Sequence, residues 1–219
     1  MSNDPGLFEV MHSMRAMRRL KPDPVPDDVL RKVLDSAIRA PSGQNTQPWA
    51  FVVLRNDESR RFFGERYRHW LHKLFDDRMP PADDNSRGAR TARSAVHLAD
   101  HMSEAPIIIL ACGKRDWPFR VLEQDRVGLA PPSYGSIYPA VQNLLLACRA
   151  VGLGASLTTV HQMFEAELLD HVAVPDTYGV VAAIPIGYPL GNFGPVRRRP
   201  IGTVTHFDRW GEQDPGWGV

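Results

Sequence analysis

The stretch APSGQNTQPW, residues 40–49, carries many hydrogen-bonding side chains for a segment that joins two apolar ones. An ordinary connection needs only a glycine or a proline to turn the chain. This one adds hydroxyl and amide groups on a backbone that two prolines restrict. The framing prolines are Pro41 and Pro48, and the polar side chains are Ser42, Gln44, Asn45 and Gln47. Such a loop suits a polar, planar ligand; the alternative is a capped helix-to-strand connection.

Two groups of arginines lie near the ends of the chain. Arg15, Arg18 and Arg19 lie near the start, and three more occupy positions 197–199. Residues 7–17 have the pattern of a short helix, and on a helix Arg15 and Arg18 would share one face at i and i+3. Planar guanidinium groups bind phosphate through forked hydrogen bonds. The cluster therefore predicts an anion site, completed by the C-terminal arginines if the tail folds back; the alternative is a solvated basic face.

Three other patterns do not establish a site. GLGASL at 152–157 resembles part of the GxGxxG fingerprint, but its glycines follow a helical segment and open a strand, the reverse of that motif's context. His97 and His101 have the i, i+4 spacing of helical zinc ligands, yet position 98 is leucine rather than the HExxH glutamate. No GxSxG nucleophile motif occurs. We predict no metal and no catalytic side chain, which favours chemistry carried by a cofactor.

Composition indicates one globular domain over residues 1–219, with 43% hydrophobic and 23% charged residues. A net charge of +1 gives no overall field for nucleic acid. Cys112 and Cys148 lie in apolar surroundings without CxxC spacing, as core cysteines of a reducing compartment do. No apolar run resembles a signal peptide or a membrane span. We therefore expect a cytoplasmic protein that binds neither nucleic acid nor membranes.

The periodicity of apolar residues predicts helices and strands mixed along the chain, in an α+β or α/β domain. Helices are predicted over 7–17, 26–39, 58–78, 91–103, 137–151 and 162–172, and strands over 49–54, 105–112, 155–160 and 180–189. The polar segment 76–90 contains proline and glycine and is predicted to be mobile. Residues 190–219 form a C-terminal extension long enough to wrap around a neighbouring subunit.

Residues 14–54, MRAMRRLKPDPVPDDVLRKVLDSAIRAPSGQNTQPWAFVVL, resemble the N-terminal signature of the nitroreductase family of FMN-dependent oxidoreductases. That signature is an arginine-rich motif close to RRSxRxF, a PVP turn, a helix and APSxxNxQPW. GLGASLTTV and RRRP resemble later motifs of the family, in the same order. The resemblance covers most of the chain and is weakest over 60–135.

The resemblance implies an α+β fold, a three-layer α/β/α sandwich with a central, mostly antiparallel sheet. It further implies an intertwined homodimer with two FMN molecules at the subunit interface. Phosphate-binding positions of the family fall on Arg15, Ala16, Arg18, Arg197 and Arg199. Met14 and Ala16 stand where the pattern has an arginine and a serine, so two phosphate contacts are replaced.

Two further segments are implied as cofactor-binding. Pro41, Ser42, Gly43 and Asn45 match the segment that covers the flavin from the partner chain, with Gln47 holding that loop from behind. Leu157, Thr158 and Thr159 match the stretch that passes the flavin ring near N5. The small side chains of the loop allow its backbone to approach a flat ring closely.

The implied activity is hydride transfer from NADH or NADPH through flavin N5 to a nitroaromatic, a quinone or a related conjugated acceptor. Phe119, Tyr134 and Tyr138 are candidates to line the acceptor pocket, or are ordinary packing residues. Two alternatives stay open. One is a specialist of the same fold, such as a reductive dehalogenase or a flavin-fragmenting enzyme; the other is a non-catalytic flavin-binding or storage protein.

Overall fold

A computed structural model describes residues 5–115 and 134–218, except for the side chain of Asp77. Its helices are α1 Leu7–Ser13, α2 Asp27–Ala37, α3 Asp57–Phe75, α4 Arg87–Asp100, α5 Tyr134–Ala150 and α6 Glu165–His171. Its strands are β1 Trp49–Leu54, β2 Ile107–Lys114, β3 Gly154–Ala155 and β4 Tyr178–Gly187. Phe119, one candidate for the acceptor pocket, lies outside the described residues.

The described strands form one antiparallel sheet in the order β1-β2-β4-β3. Phe51 pairs with Ala111, and Ile109 with Ile184, so β2 lies in the middle of the sheet. The register between β2 and β4 shifts at Ala111 and Cys112, which marks a β-bulge. The predicted antiparallel sheet is confirmed.

Helices cover both faces of the sheet. Alternate residues of β2 point to opposite sides, and the apolar side chains on each side pack against helices. Ile107 and Ile109 pack in a core with α2 and α5. Ile108 and Leu110 pack in a second core with α3, α4 and α6. Burial on both faces explains the unbroken apolar run of β2. The predicted three-layer α/β/α sandwich is thereby confirmed.

The first helix and the strand predicted over 155–160 are shorter in the structure. The first helix ends at Ser13, and Met14 is extended with φ −66° and ψ 120°. The following residues pair with β3 instead, since Ala16 bridges Ala155 in a parallel manner. The strand predicted over 155–160 is regular only at Gly154–Ala155, with one further bridge from Thr158. It ends where Thr158 Oγ1 accepts the N–H of Val160 at 3.3 Å, a local turn that competes with the sheet.

The segment predicted to be mobile has defined contacts. Arg93 Nη2 donates to the carbonyl of Asp84 at 2.7 Å, and α4 begins at Arg87, four residues before the predicted start. Ser86 sets this start, because its Oγ accepts the N–H of Ala89 at 3.2 Å as a helix cap. The mobility of residues 76–90 stays a prediction.

The C-terminal tail first runs along the start of the chain and then presents apolar side chains. Val196 N–H donates to His12 O at 2.8 Å, and Leu190 N–H to Arg19 O at 3.0 Å. Beyond these contacts lies a group of exposed apolar residues that we call the tail patch: Ile201, Val204, Phe207, Trp210 and Trp217. The Trp210 side chain is 91% exposed, so this patch is unusual for a surface in contact with water.

Both cysteines are buried, as expected for core residues. Burial raises the pKa of the Cys112 thiol to about 11 and that of Cys148 to about 12. Both thiols are therefore protonated and poor nucleophiles at neutral pH. Among the residues that the structure describes, no helix is both long and apolar enough to cross a bilayer.

Candidate functional site

Six arginines from three separate parts of the chain line one cleft of about 590 Å³, which we call the arginine cleft. They are Arg15, Arg18, Arg87, Arg90, Arg197 and Arg198. No acidic residue is among the described residues that line it. The charged side chains of the cleft are therefore all positive, and anion binding by the arginines near the two ends stays a prediction.

The extended segment after α1 forms the first wall. Met17 N–H donates to Ala155 O at 3.0 Å, which fixes this segment on β3. Arg15 is exposed and Arg18 half-buried, and both line the cleft together with Ala16. The predicted helical face for this pair was wrong, because backbone pairing with β3 replaces helix bonds here. The same two side chains nevertheless reach one site.

The tail forms the second wall. The hydrogen bond from Val196 to His12 brings residues 195–198 to the cleft. Arg197 lines it, as the resemblance implied, and Arg198 lines it as well. Arg199, the other implied position, is exposed just beyond these residues. Its role as a phosphate ligand stays a prediction.

Helix α4 forms the third wall, which the sequence analysis did not include. Arg87, Arg90, Thr91 and Ser94 line the cleft, and their i, i+3, i+4, i+7 spacing places them on one helical face. Leu98 of the same helix packs in the core. The signal was available in the sequence, since Ser86 is a favourable N-cap directly before this pattern.

Thr158 connects the arginine cleft with the sheet. Its backbone N–H and carbonyl both pair with Ala183, at 2.9 and 3.0 Å, and its side chain is buried. Burial raises the pKa of the Tyr67 hydroxyl, while the Thr158 hydroxyl and the positive charge of Arg18 act to lower it. Arg18, Tyr67 and Thr158 therefore lie in one neighbourhood. Leu157 and Thr159, the predicted residues on either side, are exposed.

A buried histidine fixes the chain directly after this stretch. His161 is fully buried and its Nε2 lies 2.8 Å from Val180 O. A carbonyl only accepts, so Nε2 carries the proton and donates. Glu165 Oε1 accepts the N–H of the same Val180 at 3.1 Å. Burial lowers the pKa of His161, which keeps the ring neutral while it holds residues 158–165 against β4.

The loop 41–47 has an unusual backbone. Gln44, Asn45 and Gln47 have φ values of 52°, 54° and 49°, and the left-handed region is unfavourable for residues other than glycine, with asparagine the usual exception. Ser42 Oγ accepts the N–H of Gln47 at 3.0 Å. The Gln47 amide lies 3.3 Å from Asn45 Oδ1. The supporting role of Gln47 behind the loop stays a prediction.

The same loop lies beside the first turn of α5 and not in the arginine cleft. Gly43 N–H donates to Ser136 Oγ at 3.3 Å. Tyr134 and Tyr138, two candidates for the acceptor pocket, flank Ser136, with ring centroids 5.5 Å apart. Pro41, Ser42, Gly43 and Asn45 are not among the residues lining the arginine cleft. Within one chain the two predicted parts of the site are therefore separate.

Comparison with known proteins gives the family. The model of the Nitroreductase family matches residues 12–188. This chain belongs to the nitroreductase family. The match includes the first cleft wall, the loop 41–47, α4 and residues 157–159, so every predicted site segment except the tail lies inside it.

Individual relatives of this nitroreductase-family chain carry several names. It is 47% identical over 51 residues to an NADH dehydrogenase of Thermus thermophilus, an alignment that covers 23% of this chain and a quarter of that protein. It is 28% identical over 186 residues to an iodotyrosine deiodinase of Thermotoga neapolitana, covering 84% of this chain and 88% of the relative.

A solved structure shares the fold. The crystal structure of oxidized iodotyrosine deiodinase bound to FMN and 3-iodo-L-tyrosine superposes with a TM-score of 0.69, at 22% identity, over 94% of this chain and 98% of that one.

Within the described part of this nitroreductase-family chain, no three His, Cys, Asp or Glu side chains are grouped so as to hold a metal ion.

Proposed function

We propose that this protein is an FMN-dependent oxidoreductase that uses NADH or NADPH to reduce a nitroaromatic, a quinone or a related conjugated acceptor. The carrying observation is that the first wall of the arginine cleft, with Arg15 and Arg18, pairs with β3 at Ala155, two residues before the stretch 157–159. Arginines from the start and the end of the chain thus meet beside the stretch 157–159. The proposal includes the cytoplasmic location expected from the sequence.

The residues present fit the phosphate of FMN. A phosphate monoester carries nearly two negative charges at neutral pH and accepts forked hydrogen bonds from guanidinium groups. Arg15, Arg18 and Arg197 would hold it, as the family pattern implies. The backbone of Ala16 lies between the first two and is fixed by its pairing with Ala155. All the charged side chains that line the cleft are positive, which favours a dianion over a neutral ligand.

Each part of the chain has a defined task in this proposal. When bound, FMN supplies the hydride-transfer chemistry. Residues 157–159 orient the ring, because His161 and the Ala183 pairing hold that stretch rigidly against β4. Positive charge in the cleft favours bound anions. We propose no catalytic acid or base among the side chains.

We further propose a homodimer in which the loop 41–47 of one subunit covers the cofactor held by the other. Two observations support it. The loop is exposed and separate from the arginine cleft within one chain. The tail patch, which includes Phe207, Trp210 and Trp217, exposes large apolar side chains of the kind that mark interaction surfaces. The extension 190–219 would wrap around the partner.

Reductive dehalogenation is the second candidate. It is supported by the iodotyrosine deiodinase of Thermotoga neapolitana, which aligns with 84% of this chain, and by the same fold in the deiodinase solved with FMN and 3-iodo-L-tyrosine. This reaction would use the same cofactor cleft and differ only in the acceptor.

The test is to purify the protein, record its visible spectrum, add FMN and follow NADH and NADPH oxidation with menadione, a nitroaromatic and 3-iodo-L-tyrosine. We expect bound flavin that NAD(P)H bleaches. The variant R15Q/R18Q is expected to weaken FMN binding about tenfold to a hundredfold. The control is R31Q/K32Q, which removes two positive charges from α2 at positions that do not line the cleft. A protein that stays colourless with added FMN would overturn the proposal, and flavin without turnover would indicate a storage protein.

A further inference from the structure

The arginine cleft holds more positive charge than one cofactor phosphate requires. Six arginines line it, and none of them belongs to an ion pair among the described residues. A phosphate monoester neutralises about two of them. Like charges confined in a partly enclosed cleft repel one another. The surplus therefore favours a second anion in the same cleft.

The arginines on α4 are the ones placed to take this second anion. Arg87 and Arg90 lie one helical turn apart on the wall formed by α4, whereas the residues assigned to the phosphate lie on the first and second walls. Thr91 and Ser94 continue this wall with hydroxyl groups. The Thr91 hydroxyl donates to Arg87 O at 2.9 Å, so the charged donors of this wall are the two guanidinium groups, whose forks match the oxygens of a carboxylate or a phosphate.

We propose that Arg87 and Arg90 form a second anion subsite, separate from the cofactor phosphate, that binds an oxyanion carried by a reactant. This inference rests on the proposed function, because it assumes that FMN occupies the rest of the cleft. The oxyanion comes either from a conjugated acceptor that bears a carboxylate or from the additional phosphate of NADPH. Both share the chemistry of a charged oxygen group, and the experiment separates them.

The experiment measures binding to the oxidised holoprotein by changes in the flavin spectrum. One pair of probes is 4-nitrobenzoate and its neutral methyl ester, and the other is NADP⁺ and NAD⁺. The variant R87Q/R90Q removes the two charges, R87K/R90K keeps them, and R31Q/K32Q is the control for net charge. The affinity of each variant for FMN is measured separately by fluorescence quenching.

We expect R87Q/R90Q to raise the Kd of either 4-nitrobenzoate or NADP⁺ by about tenfold or more. The Kd of the matching methyl ester or NAD⁺, and that of FMN, should change by less than about twofold. R87K/R90K should retain most of the affinity. Which pair responds identifies the source of the oxyanion. An equal loss of FMN affinity would overturn the inference, since the two arginines would then belong to the phosphate site. Unchanged binding of every probe would also overturn it. Failure of the wild-type protein to bind FMN is a distinct result, which rejects the proposed function and this inference with it.

Discussion

The backbone N–H of Met17 donates to the carbonyl of Ala155 at 3.0 Å, and Gly154 precedes that residue in β3. A Cβ atom at Gly154 would lie 2.9 Å from Met17 Cβ and 3.0 Å from Leu20 Cδ2. The position thus requires glycine because of the neighbouring segment, and that segment carries the first two arginines of the cleft.

The substitution G154A is therefore expected to push the first wall away from β3. We expect a loss of about 1–3 kcal/mol in the free energy of unfolding, measured by urea denaturation, together with weaker FMN binding. G6A is the matched control, since a Cβ there meets nothing within 4 Å. If G154A and G6A had the same free energy of unfolding, the first wall would be able to shift and accommodate the added Cβ atom without cost.

Gln44 offers a test of backbone strain in the loop 41–47. Its φ of 52° and ψ of 21° are unfavourable for a side chain with a Cβ atom. Q44G should be more stable than Q44A by about 1 kcal/mol, because both remove the side chain and only glycine removes the strain. Thermal and urea denaturation measure the difference. If Q44A were the more stable, the left-handed conformation at this residue would be in doubt.

The tail patch predicts a loss of self-association when its aromatic residues are replaced. W210S/W217S should raise the dissociation constant of the proposed dimer by at least about tenfold, because both rings are exposed in one chain and would be buried by a partner. Sedimentation equilibrium gives the constant. L74S, which removes a 43% exposed side chain from α3 outside the patch, is the control. An identical constant for W210S/W217S and wild type would place the interface elsewhere.

His161 predicts a dependence of stability on pH. Burial holds its pKa below the ordinary value of 6.5, so at acidic pH the unfolded chain takes up a proton before the folded one. Stability is retained above about pH 6.5 and falls as the pH drops below it, by up to about 1.4 kcal/mol per pH unit for one proton.

The measurement is urea denaturation at pH 7.5, 6.0 and 5.0. H161Q should be less stable than wild type at pH 7.5, because the buried contact with Val180 is disturbed, and it should lose less on acidification. H69Q changes an exposed histidine of α3 and serves as control. A wild-type slope that H161Q leaves unchanged would assign the acid sensitivity to other groups.

Much of the fold follows from apolar patterning. Strand β2 was predictable because burial on both faces demands an unbroken apolar run, and α2 because its buried residues Leu30, Val33 and Ala37 repeat at helical spacing. The end of α1 was not predictable from composition. Residues 14–18 contain methionine, alanine and arginine, which favour helices, and only pairing with β3 overrides that preference.

The candidate site was predictable in part for the same reason. Arginine clusters and the loop 41–47 are visible in the sequence as residue types, but the meeting of three walls depends on tertiary contacts. The polar composition around residues 76–90 indicated a mobile segment and outweighed the Ser86 N-cap signal for a helix that begins at Arg87. The left-handed backbone at Gln44 and Gln47 was equally hidden, since glutamine has no preference for that conformation.

The hydrogen bond between Val196 and His12 joins the last cleft wall to the first elements of the chain. During synthesis the N-terminal wall and α4 leave the ribosome long before residues 195–198 do. Until residues 195–198 are in place, the basic groove has only two of its three walls. A deletion that removes residues 195–198 would therefore take two of the six arginines, Arg197 and Arg198, out of the cleft.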